Sequence, residues 1–420
     1  MLHRFKPKSE FSRNIVTLIT GTGIAQIIPI VISPVLTRLY SPSDFGTFAF
    51  FSALVGTLSI FASGRYEMAL LLPKRERDAL YILFLSFILN LLFSLIVLGG
   101  IIICHDILMR YIDDRSMELW LYFVPLSVFV VALFNQLSMF NNRLKCYADM
   151  ARASVIKSFV LSVVQLGAGI WHAGVSGLIS AQIIAQLSAN VKLAKNILLR
   201  EHGNIRISRL KLFALAKRYR DFPRYNLPHA VLSTLSANLP IYLFTPFFGS
   251  QVVGYYSLSL MIVFVPLMII AGATAKVYNQ QISIRYRQRE ESYFFTKRML
   301  RSLAAKIVPV VVFIGIFSPS LFGMVFGENW REAGIYTQIL VPFLLLNVMV
   351  STVAFIPNLV GKQKKAFWIS VVHVILLGSV LVYFASTHKI YSALIALSIV
   401  NSAVLLYNLS WMLQSLKSER

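Results

Sequence analysis

Five basic residues stand at or just inside the ends of long apolar segments, where charge is unusual. They are Arg65, Lys157, Arg224, Lys276 and Lys306. A charged side chain is costly inside a bilayer, so such residues usually face a bundle interior or a watery cavity. Their shared sign suits an anionic ligand. Lysines near helix ends can also extend back to the membrane surface, and this alternative stays open for Lys157, Lys276 and Lys306.

Amide side chains within the apolar segments form a second group of candidates. Three of them are spaced i, i+4 and i+8, which places them on one face of a helix: Gln182, Gln186 and Asn190. Others stand alone in separate segments: Gln165, Asn238 and Asn347. Amides inside a membrane need polar partners away from lipid, so these residues predict a polar cavity wall. Amides also bridge packed helices, and that interpretation stays open.

Two acidic residues lie close to arginines in the sequence. Arg38 and Asp44 flank a turn between the first two apolar segments, where they predict an ion pair or a gate. Glu67 follows the second segment and is placed to pair with Arg65 or to take part in ion coupling. The chain has no P-loop, HExxH or CxxC motif, and its seven histidines are not clustered at metal-ligand spacing. The sequence therefore predicts neither an enzyme nor a metal site.

The composition identifies the kind of fold that must position these residues. The chain has 420 residues, 57% hydrophobic and 14% charged, with a mean hydropathy of +0.70, whereas soluble domains are about 25% charged. A bilayer-spanning helix needs about 20 residues. The sequence therefore predicts an all-α integral membrane protein with about twelve transmembrane helices and little room for a soluble domain.

The distribution of Lys and Arg predicts the orientation of these helices. Assigned to alternate sides of twelve spans, 33 of the 40 basic residues fall on one side and five on the other. Short cytoplasmic loops carry an excess of Lys and Arg, so an even number of spans with both termini in the cytoplasm is expected. The net charge of +23 then reflects topology and attraction to anionic lipid. Nucleic acid is not expected as a partner.

Two similar outer turns indicate an internal duplication. SPSDFGTFAFFSAL at 41–54 and GSQVVGYYSLSLMI at 249–262 each place a glycine and then an aromatic residue at the start of a helix. Such residues are also common at helix ends in unrelated membrane proteins, which remains an alternative. Duplication predicts two pseudo-symmetric six-helix bundles. We place them at 1–191 and 228–420, joined by a basic cytoplasmic linker at 192–227 that contains an amphipathic surface helix.

Three segments resemble a known family. They are LTRLYSPSDFGTFA at 36–49, RYEMALLLP at 65–73 and RDFPRYNLPHAVLSTLSANLP at 220–240. Together they resemble the polysaccharide-exporting branch of the multidrug/oligosaccharidyl-lipid/polysaccharide (MOP) superfamily, and within it the Wzx-type O-antigen and exopolysaccharide flippases. The resemblance implies two bundles around a central cavity in the bacterial cell inner membrane. It also implies alternating access that moves undecaprenyl-pyrophosphate-linked oligosaccharides from the cytoplasmic to the periplasmic leaflet, for lipopolysaccharide, capsule or exopolysaccharide.

Such a substrate suits the residues described above. The five cations would hold the pyrophosphate, the amides would contact the glycan, and the lipid would stay in the bilayer. No cofactor is expected; coupling to H⁺ or Na⁺ through Glu67 or Asp44, or drive by the membrane potential, stays open. Other expected partners are membrane lipids, a polysaccharide polymerase and a chain-length regulator. The alternatives are a cation-coupled drug antiporter of the same superfamily, a membrane enzyme of lipid-linked glycan assembly and a non-transporting scaffold.

Overall fold

A computed structural model describes residues 10–112, 115–198, 208–288 and 291–417. The chain folds into two compact units, Met1–Asn238 and Leu239–Arg420. The boundary falls inside a helix, and the described residues 208–227 of the predicted linker lie in the first unit. Within the described residues all regular structure is helical, as the composition predicts.

The first unit is built mainly from long helices. They are α1 (Glu10–Leu39), α2 (Pro42–Ala62), α3 (Glu76–Ile112), α4 (Val124–Arg143), α5 (Tyr147–Ile170) and α6 (Val175–Leu198), followed by the shorter α7 (Arg209–Arg218). A 3₁₀ turn over Tyr66–Leu71 joins α2 to α3. A π-helical turn over Phe222–Asn226 leads into α8 (Leu227–Phe248), which crosses the unit boundary.

The second unit contains five further long helices. They are α9 (Ser250–Arg287), α10 (Ser292–Phe326), α11 (Arg331–Val353), α12 (Gln363–Ser386) and α13 (Ile390–Lys417). A π-helical turn over Leu260–Phe264 interrupts α9 just before a proline, Pro266. Proline lacks the amide hydrogen that a regular helix needs at this point, which accounts for the local change of hydrogen bonding.

Eleven helices in the described part of the chain are long and apolar enough to cross a membrane. The twelfth predicted span, at 175–191, corresponds to α6, which has 24 residues but is not among those eleven. The reason lies in its composition, because α6 carries Gln182, Gln186 and Asn190. Gln182 and Asn190 are tolerated there because they form hydrogen bonds with neighbouring helices. The structure therefore confirms an all-α membrane protein.

The helix neighbours in the two units repeat in the same order. In the first unit α4 packs against α2, α3 and α6, and α5 packs against α6. In the second unit α11 packs against α9, α10 and α13 in the same way, and α12 packs against α13. The central packing positions of α4 and α11 thus correspond, whereas the duplication of a complete six-helix bundle stays a prediction.

The longest interface in the first unit joins α1 and α5 and depends on small residues. A Cβ atom added at Gly21 would lie 2.5 Å from the Cβ of Ala151, and one added at Gly169 would lie 2.9 Å from Leu39. Small residues let two helix backbones approach closely where lipid supplies no hydrophobic driving force. This interface positions the end of α1 and the turn that follows it.

The amphipathic helix predicted in the basic segment is present as α7. Leu215 is buried in a cluster with Tyr66 and Tyr81, against which Leu212 also packs, while Leu210 on another face is 85% exposed. The Lys211 ammonium lies 2.7 Å from the Asp78 carboxylate at the start of α3. α7 is therefore packed onto the end of the first unit through one face.

Several helices extend beyond the predicted spans. Lys306 is predicted about one turn inside a span beginning at 302, but α10 begins at Ser292. At 1.5 Å per residue, Lys306 lies about 21 Å along that helix. Lys157 is predicted one turn inside a span beginning at 153, whereas α5 begins at Tyr147. Hydropathy marks the apolar part of a helix and not its polar end, which explains both differences.

Candidate functional site

The segment that follows α2 is a tight turn whose backbone is fixed from two sides. Gly64 and Arg65 both adopt left-handed conformations, with φ of 56° and 63°. Behind them, the guanidinium group of Arg143 at the end of α4 donates to the carbonyl oxygens of Leu70 and Pro73, at 2.9 and 2.6 Å. A non-glycine residue in this conformation is uncommon and costly, so the turn presents the Arg65 side chain in one defined place.

Arg65 connects three parts of the first unit. Its Nη1 lies 3.3 Å from the carboxylate of Glu67, and its Nε donates to the Asn226 amide oxygen at 3.0 Å. Glu67 is 4% exposed and also accepts a hydrogen bond from the Ser63 hydroxyl. The predicted pairing of Arg65 with Glu67 is therefore present. Two partners on opposite sides fix the Glu67 side chain in one position.

A cavity of about 250 Å³ opens beside this pair, and we call it the Arg65 pocket. It is lined by Arg65, Glu67, Met68, Asn135, Ser138, Met139, Asn142 and Met150. The sequence prediction did not include the contribution of α4. Asn135, Ser138 and Asn142 follow a spacing of three and four residues, which is the signal of one polar helix face. The pocket combines a guanidinium group with amides and a hydroxyl.

The second unit contains a larger cavity between α9 and α10, which we call the Lys306 pocket. It has a volume of about 530 Å³ and is lined by Leu267, Ile270, Thr274, Met299, Ser302, Leu303, Lys306, Ile307 and Val310. Its wall is apolar except for one ammonium group and two hydroxyls. Neither α9 nor α10 contains an Asp or Glu, so no carboxylate on these two helices neutralises Lys306. The pocket can accept an anionic group attached to an apolar chain.

The other three predicted cations are not brought together with these pockets. Lys157 is partly buried on α5, with its ammonium 5.1 Å from the centre of the Phe134 ring. Arg224 is exposed and lies over Tyr225 at 5.3 Å, two residues before Asn226, which binds Arg65. Lys276 is exposed on α9 and does not line the Lys306 pocket. A role for these residues in substrate binding stays a prediction.

The amide stripe on α6 contacts neighbouring helices. The Gln182 amide oxygen accepts from Ser52 on α2 at 2.9 Å, and the Asn190 amide donates to the carbonyl of Val130 on α4 at 2.9 Å. Gln186 and Asn190 are only 2% and 5% exposed. This geometry shows bridging between packed helices for Gln182 and Asn190, whereas the buried Gln186 amide has no hydrogen-bond partner among the described residues. Gln186 and Asn190 therefore do not line an open cavity.

Two of the remaining predicted amides are engaged through their side chains, and the third through its backbone. Gln165 is buried on α5, and its backbone carbonyl accepts a hydrogen bond from the Tyr40 hydroxyl at 2.6 Å. The Asn238 amide donates to the Thr57 hydroxyl at 3.2 Å. Asn347 is half-buried and accepts from Ser351 one turn later at 3.0 Å. Contact of these residues with a glycan remains a prediction.

The predicted ion pair between Arg38 and Asp44 is wrong. Asp44 instead accepts from the backbone amide and hydroxyl of Ser41, at 2.9 and 2.7 Å, while Ser41 caps the start of α2. This reciprocal capping satisfies donors that the first turn of a helix leaves free. Arg38 is exposed. Burial and, to a smaller extent, the Asp44 charge raise the pKa of Tyr40 to about 12, so its hydroxyl remains a donor to Gln165.

Solved structures of transporters and of a flippase share this fold. An inward-facing MATE family multidrug resistance transporter of the MOP superfamily is 16% identical, with a TM-score of 0.63 and 96% of each chain covered. The lipid II flippase MurJ in an inward closed conformation is 12% identical, with a TM-score of 0.73 over 94% of this chain and 87% of that one. At such identities these similarities establish the fold alone.

A third structure adds a comparison of pockets. It is a MOP superfamily transporter from Pyrococcus furiosus, 16% identical, with a TM-score of 0.56 over 97% of this chain and 96% of that one. The polarity of its binding pocket is reversed, which suggests a different function for that protein. All three proteins are described as transporters or flippases.

The family itself is shown by sequence. No curated protein matches the chain. The predicted resemblance to the MOP superfamily is nevertheless confirmed for the multi-pass membrane fold. A family profile described as "Polysaccharide biosynthesis protein" matches residues 35–335, well over half of the chain, and the chain therefore belongs to the polysaccharide biosynthesis protein family.

Proposed function

We propose that this protein is a flippase that carries lipid-linked oligosaccharides across the bacterial inner membrane for assembly of O-antigen, capsule or exopolysaccharide. The observation that carries the proposal is the Lys306 pocket. A phosphate or pyrophosphate on an isoprenoid lipid is an anion attached to an apolar chain. The pocket offers a single ammonium group without a carboxylate on either of its helices, within an apolar wall.

The Arg65 pocket, considered by itself, suits the glycan part of a lipid-linked oligosaccharide. Sugars are recognised by amides, hydroxyls and charged groups that hydrogen-bond their hydroxyls, and Asn135, Ser138 and Asn142 supply such groups. The cation there is balanced by Glu67, which leaves less attraction for a pyrophosphate. Family membership in polysaccharide biosynthesis supports a glycan as the cargo.

Transport would proceed by alternating access, with both termini in the cytoplasm. Moving a negative headgroup outward across an inside-negative membrane is favoured by about 2.3 kcal/mol per charge per 100 mV. The membrane potential can therefore drive the cycle without a bound cofactor. Glu67 is the buried acid that lines the Arg65 pocket and is our candidate if protons or Na⁺ are coupled to transport.

A drug antiporter of the same fold is the competing function. A cationic drug in the Lys306 pocket would meet a like charge with no acid on either helix, and like charges at close range repel. The similarity to a MATE transporter establishes fold and does not offset this argument. A cation substrate is therefore disfavoured.

The test is reconstitution of the purified protein in liposomes that contain a lipid-linked oligosaccharide in the inner leaflet. We expect the intact molecule to become accessible to an external lectin, faster when an inside-negative potential is applied. Protein-free liposomes and liposomes with a cationic dye control for leakage and for antiport. A chemically altered product would indicate an enzyme, and dye movement without glycan movement would indicate an antiporter.

A further inference from the structure

A groove between α12 and α13 lies outside both pockets described above. It has a volume of about 610 Å³ and is lined by Lys365, Trp368, Ile369, Val372, His373, Ala403, Val404 and Tyr407. Trp368, Val372 and Tyr407 are 65%, 59% and 53% exposed. We propose that this groove binds an anionic phospholipid of the surrounding bilayer, with its phosphate at Lys365 and one acyl chain along the apolar wall.

Neither α12 nor α13 contains an acid that could neutralise the charge at one end of the groove. Lys362, Lys364 and Lys365 stand within four residues at the start of α12, and the sequence from Ala333 to Lys417 contains no Asp or Glu. The Lys365 ammonium lies over Trp411 and Tyr407, at 4.9 and 5.8 Å from the ring centres. The two aromatic rings position the ammonium but leave its charge in place. This end of the groove therefore favours an anion.

The chemistry of the remaining wall favours a lipid chain over a glycan. The polar side chain midway along the groove is His373, whose Nε2 lies 2.9 Å from the amide oxygen of Asn401. The amide nitrogen of Asn401 donates to the Leu397 carbonyl at 2.8 Å. This polar pair is engaged within the protein. The other lining residues beyond Lys365 are aliphatic or aromatic, without the set of amides that a sugar needs.

The residue types around Lys365 are typical of a site at the membrane surface. Trp and Tyr are enriched where helices leave the hydrocarbon core, and Trp368 and Tyr407 flank the Lys365 end. Basic pockets between transmembrane helices on the cytoplasmic side hold anionic lipid headgroups. The proposal concerns a resident lipid and is independent of the proposed cargo.

The test is native mass spectrometry of the full chain released from nanodiscs containing equal amounts of phosphatidylglycerol and phosphatidylethanolamine. We expect preferential retention of phosphatidylglycerol and about a fivefold loss in Lys365→Gln, the equivalent of about 1 kcal/mol per lysine near a membrane surface. Lys365→Arg should retain the lipid. Lys389 lies in the turn between the end of α12 and the start of α13, away from the Lys365 end of the groove. Lys389→Gln makes the same charge change there and should also retain the lipid.

A second variant addresses the groove itself. Ala403 is exposed and lines the groove, so Ala403→Phe fills it without entering the packed core and should also reduce phosphatidylglycerol retention. Equal retention of the two lipids, or equal losses in Lys365→Gln and Lys389→Gln, would overturn the proposal. Displacement of the bound lipid by equimolar undecaprenyl phosphate would assign the groove to the carrier lipid and equally contradict it.

Discussion

The Arg65 pocket and the Lys306 pocket each present one cation to a cavity, but they balance that charge in different ways. Arg65 is fixed by a left-handed turn, by Glu67 and by Asn226. Lys306 lines a cavity of about twice the volume, between helices without acids. A neutralised cation mainly organises its surroundings, whereas an isolated one attracts a ligand. If the protein has the proposed function, we therefore expect Lys306 to bind the headgroup and Arg65 to have a positioning role.

Replacing Lys306 should produce the largest functional effect. Lys306→Ala removes the one charged group of its pocket, and a hydrogen bond to a charged group contributes about 1.5–3 kcal/mol. Transport in the liposome assay should fall about tenfold to a hundredfold, with partial recovery in Lys306→Arg. Lys276→Ala is the matched control, because Lys276 is exposed outside the pocket on α9. Equal losses in both variants would remove the distinction between the two lysines.

Replacing Arg65 should affect stability more than Lys306→Ala does. Arg65→Ala takes the guanidinium partner away from the carboxylate of Glu67, which is 4% exposed and keeps its hydrogen bond from Ser63. An unsatisfied buried group costs about 1–3 kcal/mol. Because 20% of the Arg65 side chain remains exposed, we expect a value at the lower end. Unfolding in detergent measures this loss.

A double variant separates the pair from its surroundings. Arg65→Ala combined with Glu67→Gln removes both charges, so its loss of stability should be smaller than the sum of the two single losses. Additive losses would show that Arg65 and Glu67 act independently. That result would make the Arg65 pocket resemble the Lys306 pocket and would weaken the contrast between them.

Two adjacent asparagines on α4 test what the Arg65 pocket does. Asn142 lines the pocket, whereas Asn141 is buried and donates to the carbonyls of Leu137 and Leu193, at 2.8 and 3.2 Å. Asn141→Ala should lower stability by about 1–3 kcal/mol. Asn142→Ala should leave stability unchanged and reduce transport severalfold. A loss of stability in both variants, with normal transport per folded molecule, would make the pocket purely structural.

The same two asparagines show what the sequence could and could not reveal. Hydropathy and charge distribution identify the helices. Each span requires an apolar run of bilayer length, and Lys and Arg are concentrated in alternate loops. Amide spacing identifies a polar face on α6, but a face that bridges helices and a face that lines a cavity have the same spacing. Asn142 and Asn141 point in different directions around α4. Which direction faces a pocket and which faces a neighbouring helix depends on where α2 and α6 pack.

The error at Arg38 and Asp44 has a different physical cause. Opposite charges six residues apart across a turn suggest an ion pair, but Ser41 stands at the position that caps α2. A backbone amide at a helix start is a local donor that requires no long side chain to be ordered, so it outcompetes the exposed arginine. The SPSD sequence at 41–44 is itself a capping signature. In such turns local capping therefore takes priority over ion pairing.

The smallest effect concerns the backbone that presents Arg65. A Cβ at Gly64 would meet no atom closer than 3.5 Å, so the cost of Gly64→Ala comes from its φ of 56° and should be about 1 kcal/mol. Gly56, inside α2, would have nothing within 4 Å of an added Cβ, so Gly56→Ala should instead stabilise the helix by up to about 1 kcal/mol. Opposite signs in thermal unfolding would support a turn whose conformation is set for Arg65. If neither variant lost stability, the turn would be able to change its conformation at no cost. The Arg65 side chain would then be held no more rigidly than that of Lys306.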